Sequence, residues 1–167
     1  MRRLAPLALV AALGGMSLSA CATMNSAMDM TPSVAPAYVA MAASSDMFEI
    51  ESSRMALQRT RMPMLRMHAE MMIRDHTNTT AQLTAAARSA GLGVSMQILP
   101  MHAAMLNELS RSTNFDATYR NQQILSHRQA LALHENYARR GDVPQLRGVA
   151  AAAVPIVRGH LDHITRM

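Results

Sequence analysis

Three histidines and one glutamate have the residue types and the placement needed to bind a transition metal. They are Glu49, His76, His127 and His160, and each lies on the inward stripe of a different predicted helix. Imidazole nitrogens bind zinc, copper, nickel or iron, and a carboxylate can complete such a ligand set. Secondary candidates for the same chemistry are Asp75, His134, Met101, His102 and Met105.

A second interpretation of the same four residues needs no metal. Their imidazoles would pair with Glu49, Asp75 or neighbouring hydroxyl groups and so fix the register of the helices in the core. Geometry separates the two interpretations. Convergence of the ring nitrogens and the carboxylate within about 4 Å favours a mononuclear site, and local pairing of each residue favours the network. On the sequence alone we favour the network, with the metal site as the alternative.

Methionine is unusually frequent, with 17 residues in a chain that has only five aromatic ones. Thioether and imidazole ligands together favour Cu(I), and Met101, His102 and Met105 are spaced as a clip on a helix surface. Methionine is also a flexible core filler, so packing is the interpretation we favour. A third interpretation is an exposed face that docks a partner protein. The densest group is Met62, Met64, Met67, Met71 and Met72.

The sequence gives no support for an enzyme or a nucleic-acid-binding protein. A di-iron centre in a helical bundle needs Glu-x-x-His pairs, and the chain contains none. There is no Gly-x-Ser-x-Gly string and no glycine-rich phosphate loop. All 16 basic residues are arginine, and they are spread thinly without interleaved aromatic residues. We therefore predict a binding or structural protein.

The N-terminus predicts export and a lipid anchor. Arg2 and Arg3 precede an apolar stretch that is shorter than the roughly 20 residues of a membrane-spanning helix. The string Leu-Ser-Ala-Cys that follows resembles the bacterial lipobox, which implies removal of residues 1–20 and lipidation of Cys21. Ala22, in place of an acidic residue, implies sorting to the outer membrane, with the protein on its periplasmic face. Cys21 is the only cysteine, so no disulfide can form within the chain.

Beyond the anchor, the composition predicts a flexible tether over residues 21–36 and one helical domain over residues 37–167. Asp116 is predicted to cap the third long helix, Gly141 to end it, and Pro155 to kink or split the fourth. The fold is predicted to be all-α, a four-helix bundle with a short extra helix between the second and third long helices. The predicted helices are 37–60, 63–90, 100–111, 117–140 and 143–166.

Inward positions follow from steps of three and four residues. The predicted seam of the first helix is Ala42, Asp46, Glu49, Ser53 and Ala56. That of the second is Leu65, Ala69, Met72, His76, Thr79, Leu83, Ala86 and Ala90. The last two seams are Ile124, His127, Leu131, His134 and Ala138, and Leu146, Val149, Ala153, Ile156, His160 and Ile164.

Four strings resemble a known family of exported bacterial proteins, domain of unknown function 4142. They are DMFEIESSRMAL (46–57), MMIRDHTNTTAQL (71–83), NFDATYRNQQILSHRQALAL (114–133) and VPIVRGHLDH (154–163). The resemblance implies a ferritin-like helical bundle over residues 37–166. The family's characteristic positions then correspond to Glu49, Asp75, His76, Asp116, Tyr119, His127 and His160.

Because the role of this family is open, two function hypotheses stand. The first is a lipid-anchored structural or interaction module of the cell envelope. The alternative is a periplasmic protein that binds copper or zinc through the inward histidines or through methionine and histidine at the surface. The membrane is the expected partner through the anchor, and a protein partner is compatible with the first hypothesis.

Overall fold

The computed structural model describes residues 32–167, and this part of the chain contains helices and no strand. The predicted signal peptide and residues 21–31 of the predicted tether, Cys21 among them, lie outside the described residues. No helix within residues 32–167 combines the length and the hydropathy needed to cross a bilayer. The five helices are α1 (Ala35–Arg59), α2 (Pro63–Ser89), α3 (Pro100–Arg111), α4 (Phe115–Arg140) and α5 (Pro144–Thr165).

The helix boundaries lie within two residues of those predicted, because proline and glycine mark them. Proline occupies the first position of α2, α3 and α5, where its missing N–H costs no hydrogen bond. Gly91 follows α2 with a φ of 72°. The next amide, of Leu92, bonds back to the Ala87 carbonyl at 2.9 Å. This is a Schellman ending, which favours glycine because other residues are strained at that φ.

Two residues, Asp116 and Pro155, affect their helices differently from what the sequence predicted. The residue before α4 is Asn114 and makes no side-chain capping bond, so the prediction that Asp116 caps this helix is wrong. Asp116 lies in the first turn instead, where its charge still favours the positive end of the helix. Pro155 does not split α5, which runs through it as a single helix. Pro155 and Ala151, whose carbonyl the ring displaces, are both exposed, so that carbonyl can turn to water.

The four long helices contact one another in a closed ring. The pairs α1–α2 and α4–α5 are joined by connections of three residues, and α2–α5 and α1–α4 complete the ring. α3 packs on the outside against α1 and α4. The ring brings the inward faces of all four long helices together, so side chains at one level of α2, α4 and α5 can meet.

The core is layered, with apolar ends and a polar middle. One apolar cluster includes Tyr38, Leu83, Tyr137 and Leu146, and the other surrounds Leu65, Leu109, Phe115, Tyr119 and Ile164. The buried polar residues between them include Asp46, Glu49, Ser52, His76, Gln123, Ser126, His127 and His160. The predicted seam of α1 is confirmed, because all five of its residues are buried. The apolar ends therefore enclose a polar layer that must satisfy its own hydrogen bonds.

α3 is fixed to α1 by one buried serine. Ser44 Oγ lies 2.7 Å from His102 Nδ1 and accepts a hydrogen bond from the Leu99 amide at 2.8 Å. The His102 ring also stacks on Phe48, with centroids 5.6 Å apart. His102 is thus turned into the core, whereas Met101 is 41 % exposed. The structure does not bring these two residues together as a surface clip with Met105.

Gly141 ends α4 at a point where no side chain fits. A Cβ there would lie 2.5 Å from Tyr137 Cε1 and 2.6 Å from the Tyr137 carbonyl oxygen. Tyr137 cannot move aside freely, because its ring stacks on Tyr38 with centroids 3.8 Å apart and its hydroxyl donates to Asp142. Gly141→Ala should therefore lower the free energy of unfolding by about 1–3 kcal/mol, the usual cost of overpacking.

The matched control is Gly148→Ala, at an exposed position in the second turn of α5 with no atom near its added methyl group. Higher helix propensity should leave this variant unchanged or stabilise it by up to about 1 kcal/mol. Urea unfolding monitored by circular dichroism measures both. Equal stability of the two variants would contradict the assigned role of Gly141.

Candidate metal centre

Three helices each contribute one histidine to the polar layer. α2 provides His76, α4 provides His127 and α5 provides His160, all at most 3 % exposed. Their ring centroids are separated by 5.4–5.7 Å. One nitrogen from each ring lies within 4.8 Å of the other two. The ring of helices thus brings together three of the four residues that the sequence singled out.

Each of the three rings is held by a hydrogen bond to one of its nitrogens. His76 Nδ1 lies 2.8 Å from Asp46 Oδ1, and His160 Nε2 lies 3.0 Å from Asp75 Oδ2. His127 Nδ1 lies 2.8 Å from the backbone carbonyl of Gln123. Carboxylates and carbonyls accept hydrogen bonds, so in a neutral ring the proton resides on the nitrogen that faces them. The opposite nitrogen of each ring then carries a free lone pair.

Those opposite nitrogens have no partner. His76 Nε2, His127 Nε2 and His160 Nδ1 are buried and make no hydrogen bond. Metal-bound histidines characteristically donate their other N–H to a carboxylate or carbonyl, which fixes the tautomer and the ring orientation. The three rings therefore have the hydrogen-bonding arrangement of metal ligands. The separation of up to 4.8 Å exceeds the roughly 3.4 Å that bonds of about 2.0–2.1 Å give at a tetrahedral metal, so a bound ion would draw the rings inward.

Glu49 does not join the three nitrogens. Its carboxylate accepts hydrogen bonds from Gln123 Nε2, at 2.6 Å, and from Ser126 Oγ. The nearest atom of the histidine group is His127 Nδ1, 3.5 Å away on the side of that ring that faces the Gln123 carbonyl. Burial raises the pKa of Glu49 against the opposing effects of His76 and of these hydrogen bonds. Glu49 therefore supports His127 from behind.

Burial and the surrounding carboxylates set the charge of the three rings. Burial lowers the pKa of His127 to about 3 and that of His160 to about 4, so both rings are neutral near pH 7. For His76, burial alone would lower the pKa, but Asp46, Glu49 and Asp75 together raise it above its ordinary value. Neutral imidazole is the form that binds metal, and a carboxylate behind the ring increases its basicity.

Asp46 is a functional residue that the sequence placed on a seam without assigning it a role. Besides His76, its carboxylate accepts hydrogen bonds from Thr79 at 3.0 Å and Thr80 at 2.9 Å. Three donors from α2 therefore fix one carboxylate of α1. The available signal was an aspartate on a stripe of small residues, facing the His-Thr-Asn-Thr-Thr string of the next helix.

Two further histidines were missed. His68, fully buried, lies with Nε2 3.1 Å from Gln123 Oε1 and with Nδ1 3.1 Å from His163 Nδ1. Among the secondary candidates, Asp75 holds His160. His134 lies apart from the three rings and contacts the Tyr38 hydroxyl at 3.1 Å. The sequence analysis missed His68 because the predicted seam of α2 passes through its neighbour Ala69. It missed His163 because the predicted seam of α5 passes from His160 to Ile164.

A family model described as "Domain of unknown function (DUF4142)" matches residues 19–167. A search of the curated proteins finds no match. Among solved structures, the chain is similar to "CopM in the Cu(II)-bound form", with a TM-score of 0.68 and 19 % identity over 80 % of this chain and 94 % of that one. It is also similar to "CopM in the Cu(I)-bound form", with a TM-score of 0.66 and 16 % identity over 80 % and 94 %. These likenesses show the fold.

The buried neutral histidines predict that the metal-free protein loses stability on acidification. The folded pKa is about 3 for His68 and His127 and about 4 for His134 and His160, below the ordinary value of 6.5. A group with a depressed folded pKa stabilises the fold above its unfolded pKa, and this contribution is lost as the pH falls. The free energy of unfolding, measured in urea with a chelator present, should therefore fall steadily from pH 7 to pH 4.

His76 and Glu49 act in the opposite direction, because their folded pKa values are raised and their contributions are lost as the pH increases. The four histidines with lowered pKa values should affect the free energy of unfolding more than His76 and Glu49 do. His134→Phe is the control outside the centre, and it should make the dependence on pH shallower. An unfolding free energy that stays constant or increases toward pH 4 would contradict the predicted balance.

Proposed function

Because the chain belongs to the family described as domain of unknown function 4142, whose description names no activity, we propose a function from the centre itself. The protein is an exported metal-binding protein of the cell envelope that holds copper or zinc between α2, α4 and α5. The ligands are His76, His127 and His160. Asp46, Asp75 and the Gln123 carbonyl hold the three rings in the tautomer that binding requires.

The observation that carries this proposal is the set of three buried ring nitrogens without partners. A buried polar atom that lacks a hydrogen bond costs about 1–3 kcal/mol. By the test set on the sequence the centre resembles a network, because the three nitrogens lie up to 4.8 Å apart, Glu49 is not among them, and His76 and His160 each pair with an aspartate. That network nevertheless leaves the second nitrogen of every ring unpaired. Here one nitrogen of each ring faces a fixed acceptor and the other has no partner. At His76, whose pKa the neighbouring carboxylates raise, a bound cation would take the place of a proton. A single bound cation would give all three unpaired nitrogens a partner.

The donor set favours copper or zinc over other metals. Three neutral imidazoles suit zinc, copper and nickel, whereas magnesium and calcium prefer oxygen ligands. The structural neighbours are described as bound to Cu(I), Cu(II) and silver, which supports copper.

A fold of the ferritin-like four-helix type, with α3 as an addition, agrees with the ring of long helices.

We propose storage or buffering of the metal, without catalysis. General acid–base catalysis beside a metal needs a side chain that is free to accept or give a proton. Here the second nitrogen of each ring is engaged in a hydrogen bond, and the Glu49 carboxylate is occupied by Gln123 and Ser126. Within residues 32–167, the carboxylates nearest the centre therefore all serve to hold side chains in place.

Replacing His76 by Leu should abolish stabilisation by metal. Zn(II) or Cu(II), added separately, should raise the melting temperature of the wild-type protein, because binding to the folded state shifts the unfolding equilibrium. The variant should show no such increase, since two imidazoles remain. Without metal, the variant should lose about 1–3 kcal/mol, because Asp46 then lacks one donor. Differential scanning calorimetry with and without each metal measures both effects.

His134→Leu is the matched control. His134 is also buried and bonded to one partner, Tyr38, but lies outside the group of three. This variant should lose stability and yet keep its response to metal. A wild-type melting temperature that ignores both metals would overturn the metal-binding function and return the centre to a structural network.

The proposed location is the periplasmic face of the outer membrane, held by a lipid on Cys21. The support is the sequence of the N-terminal segment, which lies outside the described residues. Cys21→Ser should move the protein from the membrane fraction to the soluble envelope fraction. Its helical circular dichroism should be retained, since Cys21 precedes the helical domain. Fractionation and immunoblotting measure the change, and continued tight sedimentation with membranes would contradict the anchor.

A further inference from the structure

Four methionines line an open groove beside the three-histidine centre. Met62, Met64 and Met71 come from the start and middle of α2, and Met167 from the end of the chain. His160 and His163 of α5 and Asp75 of α2 also line the groove, together with Pro155, Ile156, Gly159 and Arg166. We name this set the methionine groove. His160 belongs both to the groove and to the centre, so the two features adjoin through one residue.

Met62 and Met64 of the groove are exposed, whereas Met71 and Met167 are half-buried. Met72, on the seam of α2, is fully buried, as the packing interpretation expects. Met62 and Met64 are each 48 % exposed. A methionine side chain that leaves about half of its surface in water contributes little hydrophobic stabilisation to the fold. Packing therefore accounts for Met72 and for Met167, which packs against the apolar cluster around Leu65, and leaves Met62 and Met64 without a structural role.

His163 is held in the way that the three histidines of the centre are held. Gln123 Nε2 donates to Glu49, so Gln123 Oε1 accepts the proton of His68 Nε2. With this proton on Nε2, the His68 ring has its lone pair on Nδ1. His163 Nδ1 lies 3.1 Å from that lone pair and donates its proton to it. The Nε2 of a neutral His163 is then the nitrogen left to bind a ligand.

We propose that the methionine groove is a second metal site, which binds a monovalent soft cation, Cu(I) or Ag(I). Its ligands are His163 Nε2 and the thioethers of Met62, Met64 and Met71. Thioethers and imidazole together select Cu(I) and discriminate against zinc. Asp75 adds a negative charge to the lining, and Arg166, which also lines the groove, donates through Nε to the Asp162 carbonyl at 3.0 Å. The proposal does not require the three-histidine centre to bind metal.

Ag(I) is a suitable probe because it has the same preference for thioethers and no accessible redox chemistry. The groove variant is Met62→Leu, Met64→Leu, Met71→Leu, a volume-conserving change at exposed or half-buried positions. The control is Met67→Leu, Met96→Leu, Met101→Leu, which removes three equally exposed methionines outside the groove. Isothermal titration of the purified protein with Ag(I), and separately with Zn(II), measures the stoichiometry of each variant.

The groove variant should bind one equivalent of Ag(I) fewer than wild type, with Zn(II) binding unchanged. The control variant should match wild type for both metals. Equal Ag(I) stoichiometry in wild type and the groove variant would overturn the proposal, as would an equal loss in the control variant. Removal of His76 separates the two sites. If His76→Leu abolishes Zn(II) binding alone, both proposals stand. If wild type binds Ag(I) at the groove and no Zn(II), the groove stands without the centre.

Discussion

The structure depends on how a polar layer is accommodated in the middle of a helical core. Apolar clusters close the ring of helices above and below, so the polar atoms between them have little access to water. Each such atom must find a partner inside the protein or raise the free energy of the fold. Asp46 meets this requirement for α2 by accepting from His76, Thr79 and Thr80. Glu49 does the same for α4 through Gln123 and Ser126.

This requirement explains why the three histidines are rigid. α1 supplies no ligand of its own, but its two carboxylates hold side chains of α2 and α4 in fixed orientations. The rings cannot rotate without breaking a hydrogen bond, so the three nitrogens that lie within 4.8 Å of one another stay close together. Preorganisation of this kind lowers the entropy that a bound ion would otherwise cost the side chains. The polar layer thus serves the fold and the centre with the same contacts.

Much of the fold could be predicted from the sequence, because local signals determined it. Proline at the helix starts and glycine at the ends gave boundaries within two residues. The α2 stripe placed His76 correctly. In α4, the predicted stripe is rotated by about one residue, since Ile124 and Leu131 are only half buried and Gln123 and Ser126 are buried. Hydrophobic periodicity fails there because the layer that α4 faces is polar.

The partners of the histidines could not be predicted, because they depend on which helices adjoin. Asp46 and His76 are 30 residues apart, and His160 and Asp75 are 85 apart. No local pattern relates such positions. The same limit hid His68, whose importance follows only from the orientation of the Gln123 amide.

The placement of the carboxylates bears on how the interior tolerates a cation. A bare ion in a low-dielectric core is very unfavourable unless opposite charge lies close by. Asp46 and Asp75 each bond directly to a ligand ring, and Glu49 lies 3.5 Å from the third. Negative charge therefore surrounds the centre one residue outward, and none of the three proposed ligands is itself a carboxylate. Such an arrangement offsets the charge of a bound ion and leaves the choice of metal to the imidazoles, whose softness favours copper and zinc.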